Sequence, residues 1–295
     1  MPEANLSVAA CEALVALARQ AGAAIMAIYA ADDGAELQFK ADASPLTAAD
    51  LAAHHLLVAG LPGILDIPII SEESGLPTFV ERSRWTRYWL IDPLDGTKEF
   101  VRRNGEFTVN IALIEQGVAT FGVVHVPVSD VTYVGLNPVD EKAKKALKYQ
   151  AGGQPESLRV RPLQPAYEAG LPFTLLVSHR YGTDTLTALI AQIRSAWSGE
   201  VLSQSAGSSL KFCLIAEGKA DFYPRLAPTS EWDTAAAQAV LEAAGGAVIA
   251  ADLDDDKGVW AALRYNTRES VINPFFYALG DSGFNWQRLL LFGSK

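Results

Sequence analysis

Cysteine is scarce in this chain of 295 residues: the two present, Cys11 and Cys213, lie far apart and belong to no CxxC or Cys/His pattern. That excludes a disulfide framework and a thiolate metal site, and two lone, buried thiols suit a reducing compartment. Positive charge is also in short supply. Lys and Arg number 24 against 34 Asp and Glu, a formal net charge of −10, which argues against a binder of nucleic-acid polymer or of anionic lipid. An anionic substrate would need something other than the protein's own cations to neutralise it. No stretch offers the roughly 18 uninterrupted apolar residues of a membrane-spanning helix. Residues 1–28 are Ala-rich but include Glu3, Glu12 and Arg19, so no basic start leads into a clean apolar run and no signal peptide is expected. The expectation is a cytoplasmic protein.

What remains is an ordinary globular composition, 49% hydrophobic and 20% charged, with enough chain for one large or two moderate domains and a sizeable core. Over residues 8–29, Leu14, Leu17, Ile25 and Ile28 recur at three- and four-residue spacings, predicting a helix. A second helix is expected over 47–59, capped by Thr47, with Asp50 in its first turn and Pro62-Gly63 beyond its end. Residues 67–71 and 88–92 read as short buried strands, 108–115 and 120–126 as a hairpin about Gln116-Gly117, and 131–136 as its continuation. The stretch 137–165 is polar and rich in Gly and Pro, which places a boundary there and divides the chain into an α+β half, 1–160, and an α/β half, 161–295. In the second half strands are expected over 173–177 and 221–223, and helices over 183–197, 208–216 and 234–244. The acidic run 252–256 reads as a solvated loop.

Three acid-bearing turns carry the chemistry. In Trp89-Leu90-Ile91-Asp92-Pro93-Leu94-Asp95-Gly96-Thr97-Lys98-Glu99-Phe100, an apolar strand runs directly into two carboxylates, with Pro93 fixing the backbone and Gly96 permitting a tight turn. Carboxylates and carbonyls converging in this way suit Mg²⁺, and N–H groups at Gly96 and Thr97 suit a phosphate oxygen; an Asp-capped turn is the plainer alternative. Ile69-Ile70-Ser71-Glu72-Glu73 repeats the design. Asp233, in Glu231-Trp232-Asp233-Thr234, reads by itself as an ordinary helix cap. Together the three turns are what a two- or three-metal site needs. The histidines are assigned no ligand role: His54-His55 fall in a helix, on its polar face, and His125 interrupts a strand. Trp85, Trp89 and the other aromatics read as core.

Glu72-Glu73, Asp92-Pro93-Leu94-Asp95-Gly96-Thr97 and Trp232-Asp233, in that order, resemble the signature motifs of the inositol monophosphatase superfamily, lithium-sensitive, Mg²⁺-dependent phosphatases. The run from Asp95-Gly96-Thr97-Lys98-Glu99-Phe100 through Arg103 to Asn110, and Gly207-Ser208-Ser209-Leu210-Lys211-Phe212-Cys213, resemble its bacterial 3′(2′),5′-bisphosphate nucleotidase branch. The resemblance implies a layered αβαβα sandwich of the sugar-phosphatase type with the site between its halves. It implies one Mg²⁺ on Glu72, Asp92 and the Leu94 carbonyl, a second on Asp92, Asp95 and Asp233, and a weaker third near Glu72, with Glu73 in its outer surroundings. Thr97, paired with Asp50 of Thr47-Ala48-Ala49-Asp50, would orient and deprotonate the attacking water, with Glu72 also counted among the catalytic groups.

The implied substrate is a small phosphorylated nucleotide, adenosine 3′(2′),5′-bisphosphate or 3′-phosphoadenosine 5′-phosphosulfate, with an inositol or sugar phosphate as the alternative. A non-catalytic binding or regulatory protein on the same fold is the reading from another class. Glu72, Leu94, Asp95, Gly96, Thr97 and Asp233 would meet the substrate's phosphate. Lys98, Ser178, His179, Ser208, Ser209, Lys211 and Arg225 are the further candidate contacts, and Arg225 favours a second phosphate over sugar hydroxyls. Lys40 is another phosphate neighbour, and a surface or capping role stands beside each of these. A monomer or homodimer is expected, and the resemblance allows peripheral association with the inner face of the membrane, although nothing here forms an anchor.

Overall fold

The computed structural model describes residues 6–31, 38–39, 45–46, 48–138, 140–150, 152–178, 184–251 and 261–290. In chain order, α1 (Val8–Ala30), the two-residue strands β1 (Gln38–Phe39) and β2 (Pro45–Leu46), and α2 (Ala48–Gly60) come first. They are followed by β3 (Ile69–Ser71), α3 (Phe79–Arg82), β4 (Arg87–Asp95), α4 (Thr97–Val101), β5 (Thr108–Glu115), β6 (Val118–Val126), β7 (Val131–Leu136), β8 (Lys145–Tyr149) and β9 (Glu156–Ser157). The second half contributes α5 (Leu163–Glu168), β10 (Phe173–Val177), α6 (Asp184–Ala196), β11 (Val201–Ser205), α7 (Leu210–Ala216), β12 (Phe222–Arg225), α8 (Ala235–Ala243), β13 (Ala247–Ala250), β14 (Phe276–Leu279) and α9 (Gln287–Leu290).

Strands β3 to β9 form one seven-stranded sheet in sequence order, parallel only at β3–β4. Period-two alternation explains how this sheet buries both faces. Trp89, Ile91, Val109, Ile111, Phe121 and Val123 pack against α1 and α2, while Tyr88, Leu90, Ala112, Ile114 and Val124 pack on the opposite side against α7 and α8. The hairpin turns at Gln116 and Gly117, both at positive φ (52° and 76°), the backbone of a type I′ turn. The five-stranded sheet, in order β11-β10-β12-β14-β13, covers the far side of α7 and α8, and its outer face buries Leu163, Leu189, Ile193 and Leu289 of α5, α6 and α9. The layers are therefore α, β, α, β, α.

Several expected bounds differ. The stretch 137–165 holds more structure than expected: Lys145–Tyr149 and Glu156–Ser157 extend the first sheet before the chain passes on after Ser157. In the second sheet only β11, β10 and β12 pair in parallel, and β14 pairs antiparallel with β12 on one side and β13 on the other. The helix expected from Ser208 starts at Leu210, because Ser208 takes φ +47° to form a turn. Helix α1 is long and apolar enough by composition to cross a bilayer, yet its Leu14, Ala18, Ala21 and Ile25 are fully buried, as in a core helix. Thr47, Lys40, His179 and the run 252–256 lie outside the described residues.

The alanine-rich α8 lies unusually close to the first sheet. A Cβ on Gly135 of β7 would sit 2.5 Å from the backbone of Ala239 and Val240, so small residues on both surfaces are needed for this approach.

Candidate active site

On a regular strand Asp92 and Asp95, three apart, would point to opposite faces. A bulge in β4 corrects this. Asp92 pairs with Asn110 and Asp95 with Thr108, one extra residue lying on β4, so both carboxylates share the face that looks toward α8. Leu94 N–H donates to Asp92 Oδ1 at 3.0 Å and holds the turn. Glu72 arrives from the neighbouring parallel strand, its N–H donating to Ile91 O at 3.2 Å. Asp233 ends a short 3₁₀ turn, Glu231–Asp233, where its Oδ2 accepts the Ser230 N–H at 2.9 Å. It thus closes a capping box on its own turn, while Thr234 occupies the N-cap of α8.

Glu72, Asp92 and Asp233 each offer an oxygen within 4.8 Å of the others. Asp92 is 1% exposed. Burial, followed by the charges of Glu72, Asp95 and Asp233, raises the Asp92 carboxyl well above the ordinary range, and burial with Asp95 and Glu72 does the same to Asp233. Such a group keeps its charges in a low-dielectric site only if protons or a multivalent cation offset them. Carboxylates from three turns, with the Leu94 carbonyl nearby, are the oxygen donors a hard divalent ion takes, so the donor set fits Mg²⁺.

Asp95 is held differently. Its Oδ2 accepts the Ser209 N–H at 2.7 Å and the Ser209 hydroxyl at 2.8 Å, with Thr108 Oγ1 at 3.5 Å and Asn110 Nδ2 at 3.4 Å. None of these donors engages Oδ1. Ser209 Oγ also lies 2.6 Å from the Asp233 carbonyl, so one side chain from the second half touches both acid turns. Ser208 Oγ lies 2.9 Å and 2.8 Å from the carbonyls of Asp95 and Glu106. Gly96 sits at φ +94°, where an added Cβ would collide with Ser208 Oγ. Thr97 Oγ1 lies 3.2 Å from Asp50 Oδ1, and Asp50, on α2, is 1% exposed.

Beside the acids opens a cleft of about 250 Å³ whose lining includes Asp95, Gly96, Thr97, Lys98, Ser178, Ser208, Lys211, Arg225 and Asp233. Lys98 is exposed at its edge. Lys211 is buried, and its ammonium donates to the carbonyls of Ala206 and Ser208 at 3.1 Å and 2.8 Å, bracing the Gly207 turn. Arg225 NH1 donates to Ser178 Oγ at 3.0 Å, while Nε and NH2 hold the carbonyls of Ala227 and Pro228. Its charge works on Asp233, lowering that carboxyl against the larger effect of burial.

Asn110 was not singled out from sequence, although its Nδ2 donates to Ser209 Oγ at 2.9 Å and its Oδ1 accepts from Thr108 at 3.0 Å. The available signal was two polar residues, Thr108 and Asn110, on a strand face that continues with the core residues Ala112 and Ile114. His54, expected on a polar face, places Nδ1 2.8 Å from the buried Ser71 Oγ, beside Glu72.

Residues 8–275 match the family model described as the inositol monophosphatase family. The chain is 46% identical over 266 residues to the 3′(2′),5′-bisphosphate nucleotidase CysQ of Salmonella typhimurium, covering 90% of this chain and 97% of that one. It is 44% identical to the CysQ of Escherichia coli K12 over 88% and 95% of the two chains. Among solved structures it resembles the CysQ of Bacteroides thetaiotaomicron, with TM-score 0.72, 39% identity and coverage of 92% and 97%. An inositol monophosphatase of Thermotoga maritima, TM-score 0.67 at 22% identity over 92% and 91% of the chains, shares the fold.

Proposed function

This chain belongs to the inositol monophosphatase family, and within it we propose that the site hydrolyses the 3′(2′)-phosphate of adenosine 3′(2′),5′-bisphosphate, giving AMP and inorganic phosphate, with Mg²⁺ as the cation. The observation that carries the reading is the convergence of Glu72, Asp92 and Asp233 beside a cleft lined by Thr97, whose hydroxyl meets the buried Asp50. The nucleotidase relatives, 44–46% identical over nearly the whole chain, direct the choice of substrate. 3′-Phosphoadenosine 5′-phosphosulfate, with the same 3′-phosphate, is the second substrate.

Glu72, Asp92 and the Leu94 carbonyl would hold one ion and Asp92, Asp95 and Asp233 another, with Glu73 beside a weaker third. Divalent cations held there would neutralise the phosphate and bring the pKa of water toward neutrality. The chain's own part is to orient and accept. Thr97 donates its hydroxyl proton to Asp50, which leaves the oxygen lone pairs to accept a hydrogen bond from the attacking water and passes its proton toward the buried carboxylate. Lys98 and Arg225 would face the second phosphate, and the Gly96 and Thr97 amides the reacting one. Ser209 is committed to the acids. In this reading Ser208 and Lys211 shape the wall, and the halves 1–160 and 161–295 each supply ligands. Lithium would inhibit by displacing a weakly held Mg²⁺, and a cytoplasmic location fits the substrate.

The test is phosphate release from adenosine 3′,5′-bisphosphate, AMP and inositol 1-phosphate, with and without Mg²⁺, by the wild type and Asp95→Asn. Mg²⁺-dependent release from the bisphosphate alone, lost in the variant, is the expected result. Preference for inositol 1-phosphate would overturn the substrate, and no release from any of the three would overturn the enzyme reading.

A further inference from the structure

Arg82, the last residue of α3, is 1% exposed and lies outside the cleft. Its guanidinium lies over the Phe79 ring, 5.0 Å from the centroid, and sends its hydrogen bonds to the second half. NH1 donates to Asn266 Oδ1, NH2 donates to the carbonyls of Arg268 (3.1 Å) and Glu269, and the Asn266 side chain returns a bond to the Arg82 carbonyl at 2.6 Å. Burying a cation is costly, and breaking the bonds of one already buried is strongly destabilising, so these forked contacts hold the two parts they join in one arrangement.

We propose that Arg82 and Asn266 are positioning residues for the divalent-cation site, setting the Asp233 turn against Glu72 and Asp92. The proposal rests on the metal-dependent reading above and concerns residues that touch neither substrate nor cation. Asn266 sits at φ +55°, and in that conformation its N–H points at Glu231, 2.9 Å and 3.0 Å from the two carboxylate oxygens. Glu231 begins the 3₁₀ turn that ends at Asp233. The rest of the same loop holds that turn as well: Glu231 N–H donates to Val271 O at 2.8 Å, and Asn273 Nδ2 donates to Ser230 O at 2.7 Å. Thus the turn carrying Asp233 is suspended from the 266–273 loop, and the loop from Arg82.

The other end of the anchor has equal bearing on the site. Residues 73–81 join the Glu72 turn directly to Arg82. One guanidinium therefore references two acid turns, one from each half, to a common point. Ser209, buried between the two turns, performs that service for Asp95 and Asp233; Arg82 performs it for Glu72 and Asp233 from behind. A ligand set spanning two halves needs such a fixture, because losing the partners that orient ligands typically costs about 10–100-fold in metal affinity.

The experiment is a calorimetric titration of the full chain with Mn²⁺ as probe, alongside circular dichroism and melting. Asn266→Gly keeps the left-handed backbone and the N–H to Glu231 but deletes both bonds to Arg82. Arg82→Lys keeps the buried charge but cannot fork across Asn266, Arg268 and Glu269. Both are expected to fold and to bind Mn²⁺ about 10-fold more weakly, the lower end of the range for partners behind ligands. In turnover the half-saturating Mg²⁺ concentration should rise while kcat at saturating Mg²⁺ is kept. Arg161→Ala, which breaks the remote Arg161–Asp221 pair (2.6 Å), should lower the melting temperature without altering Mn²⁺ affinity. Wild-type affinity in a folded Asn266→Gly or Arg82→Lys protein would overturn the proposal, as would equal weakening in Arg161→Ala. If Asn266→Gly does not fold, Arg82→Lys decides. A wild type that binds no Mn²⁺ would instead overturn the metal-dependent reading on which the proposal rests.

Discussion

Acidification tests the interior of the first half through a single ring. His125, on β6, is 2% exposed, with Nδ1 2.9 Å from Thr132 Oγ1. Helix α1 passes so close that a Cβ on Gly22 would lie 2.5 Å from the imidazole. Burial pushes this imidazole down to about 4, against the pull of Asp130 and with a smaller push from Arg19. In the unfolded chain it titrates near 6.5. The folded state therefore binds fewer protons than the unfolded state between these values, and stability falls as pH falls through that window. The full effect is about 3.4 kcal/mol below pH 4, of which about 2 kcal/mol is already lost between pH 7.5 and pH 5. Buried carboxyls act in the opposite sense: Glu231, pushed up to about 7 by burial, takes up a proton in the folded state first. The total curve is thus composite, and a difference isolates the ring. Urea unfolding of the wild type and His125→Asn should show the variant less stable near neutrality, with the gap narrowing by about 2 kcal/mol at pH 5. A gap that stays constant across that range would refute the assignment of a neutral, desolvated imidazole.

Other perturbations read the site and its packing. Thr97→Val keeps the shape but removes the hydroxyl that meets Asp50, so kcat should fall about 10²–10⁴-fold with little change in melting temperature; steady-state phosphate release and a melting curve check this. Ser209→Ala takes a donor from Asp95 Oδ2 and leaves Asn110 Nδ2 without its 2.9 Å acceptor, which should cost about 1–3 kcal/mol in urea unfolding. Mg²⁺-dependent thermal stabilisation should weaken in the same variant. Gly135→Ala forces a methyl against the backbone of α8 and should destabilise by about 1–3 kcal/mol in the same assay.

Local pattern accounts for most of what the sequence revealed. Helix α1 and strands β5 to β7 each bury a continuous apolar face, and that periodicity is present in the residues themselves. β8 and β9 carry little apolar signal: Lys145–Tyr149 sets Ala146 and Leu147 side by side between lysines with no period-two apolar run, and the edge strand Glu156–Ser157 is exposed. β11 is similar, four of its five residues being exposed on the edge of the second sheet. At the site, the acids stood out as carboxylates at the ends of apolar strands. Their supports did not. Ser209 reads from sequence as a substrate contact and not as a brace, and Asn110 and Arg82 carry no mark: the three act on partners 15 to 187 residues away, and nothing in the neighbouring sequence marks a hydrogen bond across such a span. The bulge that turns Asp92 and Asp95 to one face was likewise invisible, since it is defined by register with β5.

The division at residue 160 is a change of sheet and not a boundary between independent cores. The cluster containing Tyr88, Leu90, Ile114 and Val124 of the first sheet also contains Phe212, Val240, Val248 and Phe276 of the second half, all nearly inaccessible. Cutting there would expose the whole apolar face on which α7 and α8 lie. Tyr133 and Lys148, at 2.5 Å and 3.1 Å from Glu217 at the end of α7, would lose a buried partner too. A patch of this kind exceeds what a soluble monomer tolerates, and the fragment 1–160 should aggregate or unfold without a cooperative transition. Gel filtration with urea unfolding of that fragment is the check; a monodisperse, cooperatively unfolding 1–160 would show that the first half has its own core. Loss of Asp233 alone would leave Glu72, Asp92 and Asp95 in place, so a folded fragment that still bound Mn²⁺ would also assign the cation site to the first half. The shared core argues for the opposite outcome, because the acids of β4 face the same layer that the second half fills.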